Sequence, residues 1–110
     1  MSKTEIIGQA TPEQIQEWKK RSKDGVISQI TVRDKEGATH VCYLRTPERK
    51  DISAASVASR VDSLKFGETL LRQCWVGGDT NIRSDDDMFL AASGKAVELV
   101  EVGEAELEKL

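Results

Sequence analysis

The sequence predicts an α+β fold in which one β-hairpin, or a small antiparallel sheet, packs with about four α-helices. Three observations favour this fold: two β-branched runs flank a glycine turn, helix-capping residues precede several segments, and the C-terminal half carries apolar residues at helical spacing. The chain has 110 residues, which is the length of one domain. We therefore expect a single domain over 1–110, with residues 1–10 as a loosely ordered lead-in and a helical C-terminal half.

The first helix is predicted by a capping signal at its start. Thr11 suits the N-cap, Pro12 suits the first helical position, and Gln14 stands where a capping box needs an acceptor. Trp18 lies on the apolar face of this segment, and the helix should run to about Lys23.

The hairpin is predicted from two runs rich in β-branched residues, Val26–Arg33 and Thr39–Arg45. The turn between them is Asp34–Gly37, in which the glycine can take a positive φ. Alternation along the second run places side chains on two faces, with His40, Cys42 and Leu44 on one and Val41 and Tyr43 on the other. Both faces carry apolar groups, so we expect each to be partly covered.

Two helices are predicted in the middle of the chain. Thr46-Pro47 reads as an N-cap followed by the first helical position, and this helix should extend to Arg60. Asp62 or Ser63 can cap the next helix, which should continue to about Trp75 on a stripe of apolar and small residues: Leu64, Gly67, Leu71, Cys74 and Trp75. Gly77-Gly78 is expected to end that helix.

The last long helix should follow a connector over 81–83. Ser84 is the predicted N-cap, and Asp85–Asp87 place carboxylates where the helix dipole is positive. The expected core face is Met88 or Phe89 with Ala92, Ala96 and Leu99. Gly94 lies inside this helix, which suggests close packing at that position.

Charge and hydropathy narrow the classes of function. The 16 Lys and Arg against 19 Asp and Glu give a net charge of −3, so we expect no binding of nucleic acid through bulk charge. No apolar run approaches the roughly 20 residues that a membrane span needs, and the N-terminus has no signal-peptide core. Cys42 and Cys74 suit a reduced cytosolic protein with two buried thiols, although a disulfide between them stays open.

Candidate catalytic and metal sites are weak in this sequence. An EF-hand loop from Asp79 would have Arg83 at its fifth position and Leu90 at its twelfth, so capping is the better role for these aspartates. A nucleophilic pair of His40 and Cys42 would lack an orienting third residue. One histidine and two distant cysteines do not make the usual zinc site, and no phosphate-binding loop is present. We therefore expect no cofactor, no metal and no enzymatic activity.

Several segments resemble small proteins encoded in the tail modules of phages and prophages. These segments are Thr11–Lys19, Tyr43–Arg49, Leu71–Asp79 and Ile82–Lys95. The similarity covers roughly residues 10–100 and is to tail assembly chaperones. It implies a non-enzymatic protein in the host bacterial cytoplasm that holds the helical tape measure protein soluble until tail-tube subunits polymerise around it.

The resemblance also sets the expected partners. These are the tape measure protein and, as a second candidate, the tail tube protein. We expect no binding to nucleic acid or to a membrane. Both a monomer and a homo-oligomer are consistent with the sequence. From the amphipathic pattern, the candidate partner-binding residues are Trp75, Val76, Phe89 and, on the second apolar face of the hairpin, Tyr43.

Two other classes compete with the chaperone hypothesis. The first is a structural tail-completion or neck protein, or another small virion component, which would stay in mature particles. The second is a small regulator or enzyme, which would bind a metal or nucleotide and be stabilised by it.

Overall fold

The fold is α+β, as the sequence predicts, with a small mixed sheet rather than a purely antiparallel one. A computed structural model describes residues 6–100 and 105–110. The strands are β1 (Ile6–Ile7), β2 (Ile27–Arg33), β3 (Thr39–Arg45) and β4 (Trp75–Gly78). The helices are α1 (Pro12–Arg21), α2 (Arg49–Ser59), α3 (Lys65–Cys74), α4 (Asn81–Ser84) and α5 (Asp86–Ala96), followed by a 3₁₀ turn over Val97–Leu99.

Strand β3 is the centre of the sheet. It pairs antiparallel with β2 along its whole length, from Ile27 opposite Arg45 to Arg33 opposite Thr39. Its other edge is shared by β1, which runs parallel to it, and by β4, which runs antiparallel. The predicted hairpin is therefore confirmed, and it forms the larger part of a four-stranded sheet.

The N-terminal region contains more regular structure than a loose lead-in. Ile6 and Ile7 form β1 beside Thr39 and His40 of β3; residues 1–5 lie outside the described part of the chain. The capping box of α1 is confirmed, because the Thr11 hydroxyl accepts from the Gln14 amide at 3.2 Å and the Gln14 side chain accepts from the Thr11 amide at 2.9 Å.

The starts of α2 and α5 differ from the predicted ones. Helix α2 begins after Glu48, not at Thr46-Pro47, because the carboxylate of Asp51 accepts from the Glu48 amide at 2.8 Å. Helix α5 has Asp85 as its N-cap rather than Ser84; the Asp85 carboxylate accepts from the Met88 amide at 3.0 Å. Ser84 instead ends α4, a short helix in the segment predicted as a connector.

Gly77 and Gly78 do not end a helix but belong to β4. Helix α3 ends at Cys74, and Trp75 already pairs with Leu44 of β3. A register shift follows, since the next pair is Gly77 with Tyr43, and Val76 becomes the extra residue of a bulge. Gly78 has φ 122° and packs directly on the β3 backbone at Cys42. This close approach needs glycine.

Each face of the sheet is covered by helix, as the apolar residues on both faces of β3 predict. Helices α3 and α5 cover one face, which we call the helical face, and α2 packs against α3. The core there consists of aliphatic, thiol and thioether side chains: Ile30, Val32, Cys42, Leu44, Ala55, Leu70, Leu71, Cys74, Ile82, Met88, Ala92 and Ala96. Trp18 of α1 packs on the opposite face, against Tyr43 and Gly77. Leu64, expected in the stripe of α3, lies before its first residue and is exposed.

The close helix crossing lies at Gly67, not at Gly94. A Cβ at Gly67 would overlap the backbone carbonyl of Ser93 in α5, whereas a Cβ at Gly94 would have no neighbour within 4 Å. The expectation of close packing at Gly94 is therefore wrong, because this glycine faces open space. The small residue that permits the α3–α5 contact is Gly67 of α3.

The C-terminal end of β3 is joined to two helices by one ion pair. The Arg45 guanidinium donates to both carboxylate oxygens of Asp51, at 2.7 and 3.2 Å, and to the Gln73 carbonyl at 3.0 Å. The side chain of Asp51 is buried, and the bond from Arg45 holds its pKa below the usual value of 3.8. Arg45 therefore ties β3 to the start of α2 and the end of α3.

The two helical glycines give a matched pair of substitutions. Gly67→Ala should lower the free energy of unfolding by about 1–3 kcal/mol, since the new methyl group forces α3 and α5 apart. Gly94→Ala should raise it by about 0.5–1 kcal/mol, because alanine loses less backbone entropy than glycine in an open helical position. Urea denaturation monitored by circular dichroism measures both. Equal effects of the two substitutions would contradict the assigned crossing.

Removing the carboxylate of Asp51 should be more costly than removing an exposed one. Asp51→Ala leaves the half-buried Arg45 without its bidentate partner, and we expect a loss of about 3 kcal/mol in the free energy of unfolding. The exposed Asp86 in α5 is the control, and Asp86→Ala should change stability by less than about 0.5 kcal/mol. A loss for Asp51→Ala no larger than for Asp86→Ala would contradict the structural role of the ion pair.

Candidate protein-interaction surface

The four predicted partner-binding residues do not form one surface. Tyr43 is buried, with its ring 5.3 Å from that of Trp18 and its hydroxyl accepting from the Ala10 amide at 3.1 Å. Tyr43 therefore holds α1 and the preceding segment on the sheet and offers no surface to a partner. Trp75 and Phe89 lie on the helical face, whereas Val76 lies on the side of α1.

Trp75 and Phe89 are each covered by an arginine. The guanidinium carbon of Arg83 lies 4.4 Å from the centre of the Trp75 ring, and that of Arg72 lies 4.9 Å from the centre of the Phe89 ring. Both rings are half-buried against the core, and both arginines are exposed. We call these four residues the arginine–aromatic surface.

The two stacked pairs belong to elements that pack on one another around the end of α3. Arg72 lies in the last turn of α3, and Trp75 follows that helix directly. Helix α4, which carries Arg83, packs against α5, which carries Phe89. In the described part of the chain neither guanidinium pairs with a carboxylate, so their N–H groups can bind an acceptor from outside. Cation–π contacts hold each arginine over its ring and so orient these donors.

Val76 takes part in a separate cleft. It lines this cleft with Trp18, Arg21, Ser22 and Arg45. Trp18, expected on the apolar face of the first helix, is half-buried against Tyr43 and also lines this cleft.

His40 forms a buried charged centre that the sequence did not reveal. Its Nε2 lies 2.8 Å from a carboxylate oxygen of Asp34 and its Nδ1 lies 2.5 Å from one of Asp79, so that both ring nitrogens face carboxylates. The Asp34 bond and then the Asp79 bond raise the pKa of His40 above 6.5, against the effect of burial. The bond from His40 likewise lowers the pKa of Asp34. This arrangement stabilises an imidazolium between the hairpin turn and the end of β4.

The chemistry around His40 does not activate a nucleophile. Cys42 and Cys74 are free buried thiols, and burial raises their pKa values to about 12 and about 11. Both nitrogens of His40 are taken by carboxylates, so neither can accept the Cys42 proton. The open disulfide alternative is not realised.

Three aspartates of the acidic segment Asp79–Asp87 have structural partners. Asp79 binds His40, Asp85 caps α5, and Asp87 pairs with Lys35 of the hairpin turn at 3.1 Å. Over residues 6–100 and 105–110, no three His, Cys, Asp or Glu side chains cluster in a way that could hold a metal ion. Within the same ranges, no helix has the length and hydropathy of a bilayer span.

Comparisons of this chain with known protein families, with curated protein sequences and with solved structures find no match.

The single histidine of the chain makes the charged centre directly testable. Because the pKa of His40 is raised in the folded state, its contribution to stability is complete below pH 6.5 and is lost as the pH rises through the folded-state value. We therefore expect the free energy of unfolding to fall as the pH rises above 6.5, as measured by urea denaturation.

The His40→Gln variant is the control and should show a flatter profile over the same range, because it lacks the titrating ring. NMR titration of the one imidazole gives its pKa without assignment problems. A folded-state pKa at or below 6.5 would show that the two carboxylates do not stabilise the imidazolium.

Proposed function

We propose that this protein is a non-enzymatic phage tail assembly chaperone that binds the tape measure protein through the arginine–aromatic surface. The observation that carries the proposal is the pair of exposed arginines stacked on Trp75 and Phe89. The proposal also rests on the resemblance of residues 10–100 to such chaperones. Its site of action would be the host bacterial cytoplasm, where tails assemble.

The chemistry of this surface suits an amphipathic helix. Half-buried aromatic rings contact apolar side chains, and the guanidinium groups over them donate hydrogen bonds to carboxylates on the same helix. A tape measure protein is expected to be a long helix with such apolar stripes, which would otherwise aggregate.

Because the arginine–aromatic surface is partly apolar and partly charged, it also suits release of the bound client protein. Exposed arginine contacts contribute less than a fully buried apolar interface, and small polar interfaces are typical of transient complexes. A chaperone must leave its client when tail-tube subunits arrive. A surface made of four solvent-accessible or half-buried side chains meets that requirement better than an extended apolar face.

The test is co-expression with fragments of the tape measure protein, followed by affinity capture and a binding titration. The variant Arg72→Glu with Arg83→Glu should weaken binding about tenfold or more, since it removes both stacked cations and repels carboxylates. The control is Arg60→Glu, an exposed arginine at the end of α2, which should bind as the wild type does. Circular dichroism verifies that each variant is folded.

Three results would contradict the proposal. The first is the absence of any complex together with a tape measure protein equally soluble alone, and the second is equal binding by the double and the control variant. The third comes from mass spectrometry of mature particles, from which a chaperone should be missing. Stoichiometric presence there would assign the protein to the structural tail components instead.

A further inference from the structure

Strand β2 is the open edge of the sheet. It pairs with β3 on one side, and within residues 6–100 and 105–110 no strand pairs with its other side. The hydrogen bond from the Asp34 amide to the Ala38 carbonyl, at 3.0 Å, fixes which residues of β2 face β3, because inward and outward residues alternate along an antiparallel strand. The backbone N–H and C=O groups that point outward therefore belong to alternate residues of β2: Ile27, Gln29, Thr31 and Arg33.

The outer edge of β2 is accessible to another chain. The side chains of Gln29, Thr31 and Arg33 are exposed. On the helical face, a cleft opens between the end of β2 and α5, and it is lined by Val32 and Ala91 among others. In the part of the chain that the structure describes, no backbone group outside β2 bonds to the outward groups of this strand. These groups are therefore free to pair with a further strand.

The outer edge of β2 also lacks the features that usually prevent pairing with another chain. Natural edge strands are often short, or they carry a lysine, a proline or a bulge. Strand β2 has seven residues without lysine or proline, and its pairing with β3 shows no register shift. Its one charged residue, Arg33, is the last of the strand. Such an edge is typical of a strand that accepts another strand.

The pattern of β2 is complementary to itself. When a second β2 lies antiparallel with Ile30 opposite Ile30, each outward residue faces another outward residue, because Ile27 meets Arg33 and Gln29 meets Thr31. All outward N–H and C=O groups of both edges then have partners. A shift by two residues in either direction leaves one outward residue of each strand unpaired. The antiparallel arrangement also keeps the two arginines at opposite ends, whereas a parallel one would bring them side by side.

The side chains on both faces suit this register. On the helical face, Ile30 meets its own copy and Ser28 meets Val32, so that apolar contacts continue from one sheet to the next. On the other face, the side chains of Gln29 and Thr31 meet. Within one chain the Gln29 amide already donates to the Thr31 hydroxyl at 3.2 Å, and the same two groups can form this bond between copies.

We propose that two copies of this protein pair through the outer edges of β2, antiparallel and centred on Ile30, so that their sheets join into one continuous sheet. A second copy is the occupant because the register that pairs every outward residue is symmetric about Ile30, as a two-fold dimer requires. The two-fold axis is perpendicular to the sheet, so the helical faces of both copies lie on the same side. The contact does not use the arginine–aromatic surface and is independent of the proposed client.

Sedimentation velocity of the full chain over a range of concentrations measures self-association. The wild type should approach twice the 12.2 kDa of one chain as concentration rises. Gln29→Lys with Thr31→Lys should weaken association about tenfold or more, because lysines of one copy then lie opposite lysines of the other. The matched control is Ser53→Lys with Ser56→Lys, which adds the same charge at exposed positions of α2 and should associate as the wild type does. Circular dichroism verifies that each variant is folded.

Mixing experiments test the pairing of the two edges and its register. Gln29→Glu with Thr31→Glu should also weaken association, and mixing this variant with the lysine variant should restore a dimer, because opposite charges then meet. For the register, Gln29→Cys mixed with Thr31→Cys should form a disulfide-linked dimer on oxidation, and each alone should form little. The wild type is the control for this step, since Cys42 and Cys74 are buried.

Three results would overturn the proposal. The first is a wild type that is monomeric at every concentration. The second is association that the lysine variant does not weaken, or that mixing it with the glutamate variant does not restore. The third is a mixture of the two cysteine variants that cross-links no more than either variant alone, which would rule out pairing centred on Ile30.

Discussion

The rest of the structure depends on the pairing of β3 along both of its edges while both of its faces are covered. A strand in this position has no access to water, so its backbone groups must be satisfied by neighbouring strands and its polar side chains by charged partners. At its start, His40 lies between Asp34 and Asp79; at its end, Arg45 lies on Asp51. The polar side chains of β3 thus have charged partners at both ends of the strand, and the residues between them, such as Cys42 and Leu44, are apolar and buried.

The same strand separates two surfaces of the molecule. The arginine–aromatic surface is built on the helical face, around the end of α3, and the cleft lined by Trp18 and Val76 lies on the face that α1 covers. A client on one face would leave the other face accessible.

The sequence predicted the parts of the fold that depend on neighbouring residues. The α1 capping box, the hairpin turn at Asp34 and the α+β class all follow from local hydrogen bonds and periodicity. Strand β4 was missed because its four residues include two glycines and it forms only by pairing with the distant β3. The His40 centre was missed for the same reason, since Asp79 reaches it only through β4.

The candidate site was predicted less well than the fold. Apolar character suggested four partner-binding residues, but it cannot distinguish an aromatic ring that closes a core from one at a surface, so Tyr43 was included wrongly. Trp75, Val76 and Phe89 lie at or near the surface, although on two faces. Trp75 and Val76 are successive residues of β4, so strand alternation sends them to opposite faces. The bulge at Val76 changes the side of Gly77, which regular alternation would place with Trp75 and which instead faces Trp18 of α1. Within four residues, β4 thus supplies Trp75 to the helical face and places Gly77, which has no Cβ, against the ring of Trp18 on the opposite face, so the missing side chain at position 77 is what lets α1 lie on the sheet.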